Sequence, residues 1–178
     1  IKWEKGDTIP VYDPATGQIT NIENIPDEIK LEIDHFNKAV VTEPFNLTVA
    51  GELVKYLNPD GDAKTLIYAA TDDHADMVVR LLKNAFEETD VPVDDDAIVK
   101  ITGSIDKPEG MIRKFKNERL PNIAVTVDLL TTGIDVPEIC NLVFIRRVRS
   151  RILFEQMLGR ATRRCDRIKK EHFQIFDA

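Results

Sequence analysis

From Lys64 to its last residue, this 178-residue chain alternates between short apolar segments and amphipathic ones. The apolar segments lie at 65–69, 97–102, 123–127, 142–145 and 173–176, and they have the length and composition of buried strands. The clearest helix between them places six apolar residues on one face: Met77, Val78, Leu81, Leu82, Ala85 and Phe86. Strands separated by helices join through right-handed crossovers. The sequence therefore predicts an α/β fold, with a mostly parallel sheet covered by helices on both faces.

The first 44 residues have a different pattern and are predicted to form a connector of their own. Segments 8–12 and 18–22 flank a stretch at 13–17 that contains Pro14 and Gly17, which predicts a hairpin. Pro26 is expected to begin a helix, because apolar residues follow it at helical spacing. Those residues are Ile29, Ile33 and Phe36.

Residues 45–178 are predicted to form the main domain. It begins with a helix that is expected to stop at the sequence NPDG of 58–61. The inner stripe of this helix is predicted to contain Leu47, Leu53, Val54 and Leu57. Ligands of parallel α/β sheets lie beyond the carboxyl ends of the strands. The candidate binding loops are therefore those at 70–73, 103–106, 128–137 and 146–150.

Length and cysteine content suit a soluble, intracellular chain. The size is that of one domain with a modest appendage, and no apolar run approaches the roughly 18 residues of a membrane span. Cys140 and Cys165 have neither metal-ligand spacing nor the density of a disulfide framework, which favours a reducing cytoplasm. Because the sequence opens on Ile1, we expect it to be a piece of a longer polypeptide.

Charge is unevenly distributed along the chain. The net charge is −7, which by itself argues against binding to nucleic acid. Between Arg146 and Lys170, however, ten basic residues stand against two acidic ones. This pattern predicts a positive surface on an acidic body, suited to an anionic ligand. A solvated basic helix face is the alternative explanation.

A predicted helix at 150–164 carries the most specific pattern in this basic region. Gln156, Arg160 and Arg163 stand at i, i+4 and i+7, so they share one face with the small Gly159. Phe154, Met157, Leu158 and Ala161 lie on the other side and are expected to pack on the sheet. Arginine forks bind phosphate oxygens with fixed geometry, which makes this face a candidate polyanion site. Ordinary surface salt bridges would also account for it.

The sequence TTGIDVP of 131–137 follows the strand at 123–127. Gly133 can supply a positive φ, and Asp135 can cap the backbone ahead of Pro137. Asp135 can instead accept from a ribose hydroxyl or orient an arginine. Thr131 and Thr132 offer hydroxyls and amides to phosphates.

This loop and the QMLGRATR sequence of 156–163 together resemble motifs V and VI of superfamily 2 helicases and translocases, in their second RecA-like domain. TLIYAAT at 65–71 resembles motif IV, and ITG at 101–103 resembles a short loop that contacts the nucleic-acid backbone. Within the superfamily, four stretches look most like the restriction (R) subunit of type I restriction-modification enzymes. They are FN at 45–46, KTLIYAATDDHAD at 64–76, LTTGIDVPE at 130–138 and RVRSR at 147–151.

The resemblance implies a RecA-like three-layer α/β/α fold, in which residues 45–178 are the second motor domain. Arg160 and Arg163 match arginines that reach the ATP γ-phosphate, and Gln156 matches a residue that helps to position them. Gly133, Asp135 and Gly159 are assigned to the ATP side. The residues assigned to the DNA side are Thr71, Thr102, Gly103, Thr132, Arg146 and Arg147. Thr131 and Thr132 replace an arginine-bearing version of motif V, which leaves open whether Arg146 or Arg147 supplies that charge.

The resemblance also implies partners and cofactors that this chain does not supply. None of its eight glycines precedes a lysine, so it has no phosphate loop, and no metal site is predicted in it. ATP and Mg²⁺ are expected to bind mainly to an absent first motor domain, and the nuclease site is expected elsewhere in the R subunit. Double-stranded DNA and the modification and specificity subunits are the other expected partners, in a bacterial or archaeal cytoplasm.

Two other functions fit parts of the pattern. The chain would also suit the second motor domain of another superfamily 2 DNA or RNA helicase. A non-catalytic docking module, whose basic helix binds an acidic protein, would leave the Gln/Gly/Arg spacing unexplained.

Overall fold

The computed structural model describes residues 42–89, 92–127, 135–148 and 150–178, together with four strands near the amino terminus. The strands are β1 Lys2–Trp3, β2 Ile9–Asp13, β3 Gln18–Ile22 and β4 Ile29–Lys30. β2 and β3 pair antiparallel from Ile9↔Ile22 to Asp13↔Gln18, which confirms the predicted hairpin.

The helix predicted after Pro26 is wrong at the residues that the structure describes. Ile29 lies in β4, which pairs antiparallel with β1 through Trp3↔Ile29. Helical spacing of apolar residues is a weak local preference, and hydrogen bonds to a distant strand override it here. Pro26, Ile33 and Phe36 lie outside the described residues.

The main domain begins with helix α1, Glu43–Leu53, which has Pro44 in its first turn. Its buried stripe consists of Asn46, Ala50 and Leu53, and Leu57 is buried just beyond it. The prediction that Leu47 faces the core is wrong, since its side chain is 48 % exposed. The polar Asn46 takes the inward position one residue earlier, because it finds hydrogen-bonding partners there.

A five-stranded sheet forms the centre of the domain, with the order β6-β7-β5-β8-β9. Its strands are β5 Lys64–Tyr68, β6 Ile98–Lys100, β7 Ile123–Thr126, β8 Ile139–Phe144 and β9 Gln174–Asp177. Every neighbouring pair in this sheet is parallel. The helices between them are α2 Asp72–Glu88, α3 Pro108–Asn117 and α4 Arg151–Leu158.

Two apolar clusters cover the two faces of this sheet, as the alternation of side chains along a strand requires. Ile67 of β5 and Ala69, which follows the strand, pack in one cluster with α1 and α2. Leu66 and Tyr68 pack in the other with Phe115 of α3 and Met157 of α4. The predicted three-layer α/β/α architecture is therefore confirmed, and the six apolar residues predicted on the inner face of α2 are all buried. None of the described helices has the length and apolar composition needed to cross a bilayer.

Candidate nucleotide and nucleic-acid site

Helix α4 ends earlier than predicted. Ser150 caps its amino end by accepting a hydrogen bond from the amide of Leu153, and the last helical residue is Leu158. Beyond it, Arg160 and Ala161 donate to the carbonyls three residues before them, so the chain tightens into turns. The prediction of a helix to residue 164 is therefore wrong, and the carbonyl of Ala161 accepts from the Lys170 side chain.

The three predicted catalytic residues are consequently not on one helix face. Gln156 is exposed on the last turn of α4, and Arg160 and Arg163 lie in the turns that follow. Arg160 is half-buried, and its charge acts on the buried hydroxyl of Tyr68, whose pKa is raised by burial. Arg163 is 60 % exposed. The two arginines are thus close in sequence but sit in different environments.

Arg163 contacts Asp135, the residue predicted to orient an arginine or to accept from a ribose. Arg163 Nη1 lies 2.5 Å from Asp135 Oδ2, and both side chains are partly exposed. The other oxygen, Asp135 Oδ1, is buried and accepts no hydrogen bond from the described residues. The geometry therefore supports the arginine-orienting alternative. Gly133 and Thr132, predicted to lie beside Asp135, are outside the described residues.

Gly159 ends α4 with an ordinary helical φ of −56°. A Cβ added there would lie 3.4 Å from the carbonyl oxygen of Glu155 and 3.5 Å from that of Gln156, which are ordinary contacts. Neither strain nor packing within the described chain therefore requires a glycine at this exposed position. The assignment of Gly159 to the ATP side remains a prediction.

Along the chain, β8 lies between Asp135, which pairs with Arg163, and the predicted DNA-contacting arginines. Residues 135–138 lead into the amino end of this strand, so the described part of the loop predicted at 128–137 lies before β8 rather than at its carboxyl end. Arg146 and Arg147 follow its carboxyl end. Arg147 is exposed, whereas Arg146 is half-buried and donates through Nη1 to the carbonyl of Val127 at 2.5 Å. Arg146 therefore joins the carboxyl ends of β7 and β8.

A network around Asp72 occupies the carboxyl ends of β5 and β6. Asp72 Oδ1 accepts from the hydroxyls of Thr102 at 2.5 Å and Ser104 at 2.6 Å, and its Oδ2 accepts from Lys100 at 2.8 Å. Burial alone would raise the pKa of Asp72, but these three donors outweigh it and lower the pKa to about 2. The Asp72 network fixes the loop that begins at residue 102 against the start of α2.

The predicted DNA-contacting residues that follow β5 and β6 lie in this network or next to it. Thr102 is 5 % exposed and gives its hydroxyl proton to Asp72, so a phosphate contact here would come from the backbone. Gly103 is exposed, and a Cβ on it would meet nothing within 4 Å. Thr71 caps α2 by accepting from the amide of His74.

His74 connects these loops to α1 and was missed by sequence reasoning. Its Nδ1 accepts from the amide of Ala70 at 3.1 Å, so its Nε2 carries the proton and donates to Asn46 Oδ1 at 2.8 Å. Asn46 in turn donates to the carbonyl of Thr42. Burial lowers the pKa of His74 to about 4, which keeps the ring neutral near pH 7. A polar residue on the inner stripe of α1 was the available signal for this contact.

The fold and these contacts define the class of protein. Its family is that of the helicase conserved C-terminal domain, to which the chain belongs because the family model matches residues 49–165. The chain is 49 % identical over 177 residues to the EcoKI endonuclease subunit of a type I restriction enzyme from Escherichia coli K12. The match covers 97 % of this chain and 15 % of that subunit.

Solved structures agree with this assignment. A fragment of an HsdR subunit of a type I restriction enzyme from Vibrio vulnificus YJ016 has a TM-score of 0.61 at 26 % identity, over 77 % of this chain and 29 % of that one. Domain 2 of the DEAD-box helicase Mss116p, bound to an RNA duplex, has a TM-score of 0.57 at 20 % identity, over 76 % and 50 % of the two chains. The second likeness shows the fold alone.

Proposed function

We propose that this chain is the second RecA-like motor domain of the DNA-translocating R subunit of a type I restriction enzyme. In this proposal residues 45–178 are the motor domain and residues 1–44 are the connector that precedes it. The observation that carries the proposal is the exposed Arg163 beside Asp135, in a chain of the helicase C-terminal family that is 49 % identical to such a subunit.

The charges around Arg163 suit the outer oxygens of a triphosphate better than they suit a metal ion. Both carboxylates of segment 135–138 face arginines: Asp135 faces Arg163, and Glu138 faces Arg167 at 3.3 Å. ATP, bound with Mg²⁺ on the first motor domain, supplies the free energy for movement. This chain contributes Arg160 and Arg163, which meet the γ-phosphate, and Gln156, which helps to place them.

The Asp135–Arg163 pair keeps the guanidinium oriented before it meets the phosphate. Ion pairs between exposed side chains contribute about 0–1 kcal/mol, so this one exchanges readily for a phosphate contact. Arg163 would then bond phosphate oxygens with the same guanidinium that now contacts one carboxylate oxygen. Because Arg163 and Asp135 are both partly exposed, the guanidinium can leave the carboxylate for a phosphate at little cost.

The carboxyl ends of β5, β6 and β8 provide the DNA side of the domain. The exposed Gly103 and Arg147 offer a backbone amide and a guanidinium to phosphates, and Arg146 holds two strand ends together. Thr71, Thr102 and Thr132 contribute through the loops that carry them. Backbone contacts of this kind carry no sequence information, so recognition of a DNA site belongs to the partner subunits.

Replacing Arg163 tests this function. In the intact protein, Arg163→Ala should lower the kcat of DNA-stimulated ATP hydrolysis by roughly 10³- to 10⁵-fold, because a supplied arginine of this kind contributes about that much in other nucleotide hydrolases. Thermal unfolding should change little, since an exposed ion pair is weak. A coupled phosphate-release assay measures the rate.

Arg151→Ala is the matched control, because Arg151 is also exposed and pairs locally with Glu155 at 2.8 Å. It should retain the wild-type rate. Wild-type turnover in Arg163→Ala would refute the assignment. Stimulation by RNA in place of duplex DNA would identify instead another superfamily 2 helicase.

A further inference from the structure

Lys170 occupies an unusual position for a residue in a basic segment. Its ammonium group points inward and donates to three backbone carbonyls: those of Pro137 at 3.0 Å, Ile139 at 2.5 Å and Ala161 at 2.7 Å. An ammonium group has three protons, so these contacts use all of its donors. Charge-assisted hydrogen bonds of this kind are about twice as strong as neutral ones. Lys170 therefore does not belong to the positive surface that the sequence predicted.

The three carbonyls belong to the two segments that the Asp135–Arg163 pair also joins. Pro137 and Ile139 lie two and four residues after Asp135. Ala161 lies between Arg160 and Arg163, and its side chain is fully buried. One ammonium group thus fixes the backbone on both sides of the exposed ion pair. The pair itself is too exposed to hold the two segments in register.

The backbone of Lys170 is anchored independently of its side chain. Its amide donates to the carbonyl of Cys165 at 3.0 Å, and the two residues form an antiparallel bridge. A 3₁₀ turn, Asp166–Ile168, and the left-handed Lys169 close the loop between them. The side chain therefore projects from the loop that follows the arginines, back to Ala161 and across to Pro137 and Ile139.

From this geometry we infer that Lys170 is a positioning residue for ATP hydrolysis, which holds the segment carrying Arg160 and Arg163 in register with the segment carrying Asp135. The inference rests on the proposed function. Lys170 does not touch ATP. It acts through the arginines, whose contact with the γ-phosphate matters most in the transition state, so its loss should affect kcat more than KM.

Lys64 provides a matched control with the same chemistry. Its ammonium group also donates to three backbone carbonyls, those of Glu118 at 2.9 Å, Arg119 at 3.1 Å and Pro121 at 2.7 Å. It is 3 % exposed, so its removal should cost stability at least as much as removal of Lys170. The hydrogen bonds of its ammonium group reach neither the segment of Asp135 nor that of the arginines. Its backbone amide donates to the carbonyl of Glu138, and this bond is kept in Lys64→Met.

The experiment compares Lys170→Met and Lys64→Met in the intact protein. Both should lower the midpoint of thermal unfolding, because three carbonyls lose their donor. At a temperature where both are folded, only Lys170→Met should lower the kcat of DNA-stimulated ATP hydrolysis, by about 10- to 100-fold, since a misplacement near 1 Å has that effect. Its KM for ATP should stay within about threefold of wild type. Lys170→Gln, which keeps two donors, should be intermediate.

Equal losses of kcat in Lys170→Met and Lys64→Met would overturn the inference, and so would a wild-type kcat in Lys170→Met. If Lys170→Met does not fold, a wild-type kcat in Lys170→Gln would do the same. Arg163→Ala, measured in the same assay, distinguishes a failure of the positioning role of Lys170 from a failure of the proposed function. If Arg163→Ala is inactive and Lys170→Met is fully active, only the positioning role is refuted. If Arg163→Ala is fully active, the proposed function itself is refuted.

Discussion

The Asp135–Arg163 pair and the Asp72 network hold charged side chains in opposite ways. Arg163 has an exposed contact with one carboxylate. Asp72, by contrast, accepts from three donors and fixes a loop through the nearly buried Thr102. The comparison teaches that a group which must leave its partner for a ligand is kept in water, where the exchange costs little. A loop that must present its backbone in one register is held by several bonds at once.

Arg163→Ala is the strongest test of this comparison, and Lys170→Met is the next. Both variants alter the side of the domain that is proposed to face ATP, so both should act on the rate at saturating DNA. The remaining predictions concern the other side of the domain, its link to α1, and the glycine after α4.

Asp72→Ala should act on DNA binding rather than on turnover. Without the carboxylate, Lys100 still pairs with Asp76, but Thr102 and Ser104 keep only their bond to each other, so the loop that presents Gly103 loses its hydroxyl contacts with the start of α2. Because Asp72 is partly exposed, the free energy of unfolding should fall by only about 1 kcal/mol. The DNA concentration that gives half-maximal ATPase should rise about tenfold, a loss near 1.4 kcal/mol. At saturating DNA, kcat should stay within about twofold of wild type.

Asp73→Ala is the control for this variant, because Asp73 is exposed in the same first turn of α2. It removes the same charge from the helix amino end without touching the loop. A kcat at saturating DNA that is reduced in Asp72→Ala but not in Asp73→Ala would contradict the proposal that this side of the domain acts in DNA binding and the other side in ATP hydrolysis.

Acid should destabilise the chain through His74. Burial lowers the pKa of this ring from 6.5 to about 4, so the unfolded state binds more protons between those values. The contribution is complete above pH 6.5 and is lost as the pH falls to 4, by up to about 3 kcal/mol. Asp72, with its pKa lowered from 3.8 to about 2, extends the loss to lower pH in the same direction.

Chemical denaturation of wild type and of His74→Gln at a series of pH values measures this effect. The variant has no imidazole at position 74, so its stability should depend less on pH between 6.5 and 4 than that of wild type. Parallel curves over that range would show that the histidine is not responsible.

Gly159→Ala should have the smallest effect on folding. The helical φ and the ordinary contacts of an added Cβ allow the alanine, which also restricts the unfolded chain, so stability should rise by about 0.4–1 kcal/mol. Urea denaturation measures this change. If the variant is stable but loses ATPase activity, a group from outside this chain must approach Gly159. If it loses stability, Gly159 has a packing role within the chain.

The fold was predictable from local pattern because each buried strand and the inner face of α2 have an unambiguous apolar period. The candidate site was predictable only in part. Sequence spacing identified Asp135 and Arg163, but it assigned the arginine to a helix that ends at Leu158. After Leu158 the amides of Arg160 and Ala161 bond three residues back instead of four, and a lysine nine residues away bonds the carbonyl of Ala161, so the end of the helix depends on contacts that its spacing does not contain.

The sequence by itself determined the α/β architecture, the β2–β3 hairpin and the kinds of residue available to meet an anion. Only the tertiary structure decided that Ile29 lies in a strand, that Asn46 replaces Leu47 on the inner stripe, and that Lys170 points inward. Apolar periodicity is written in neighbouring residues, and it determines burial directly. The partner of a polar or charged group is chosen by distance in space, which no local pattern contains.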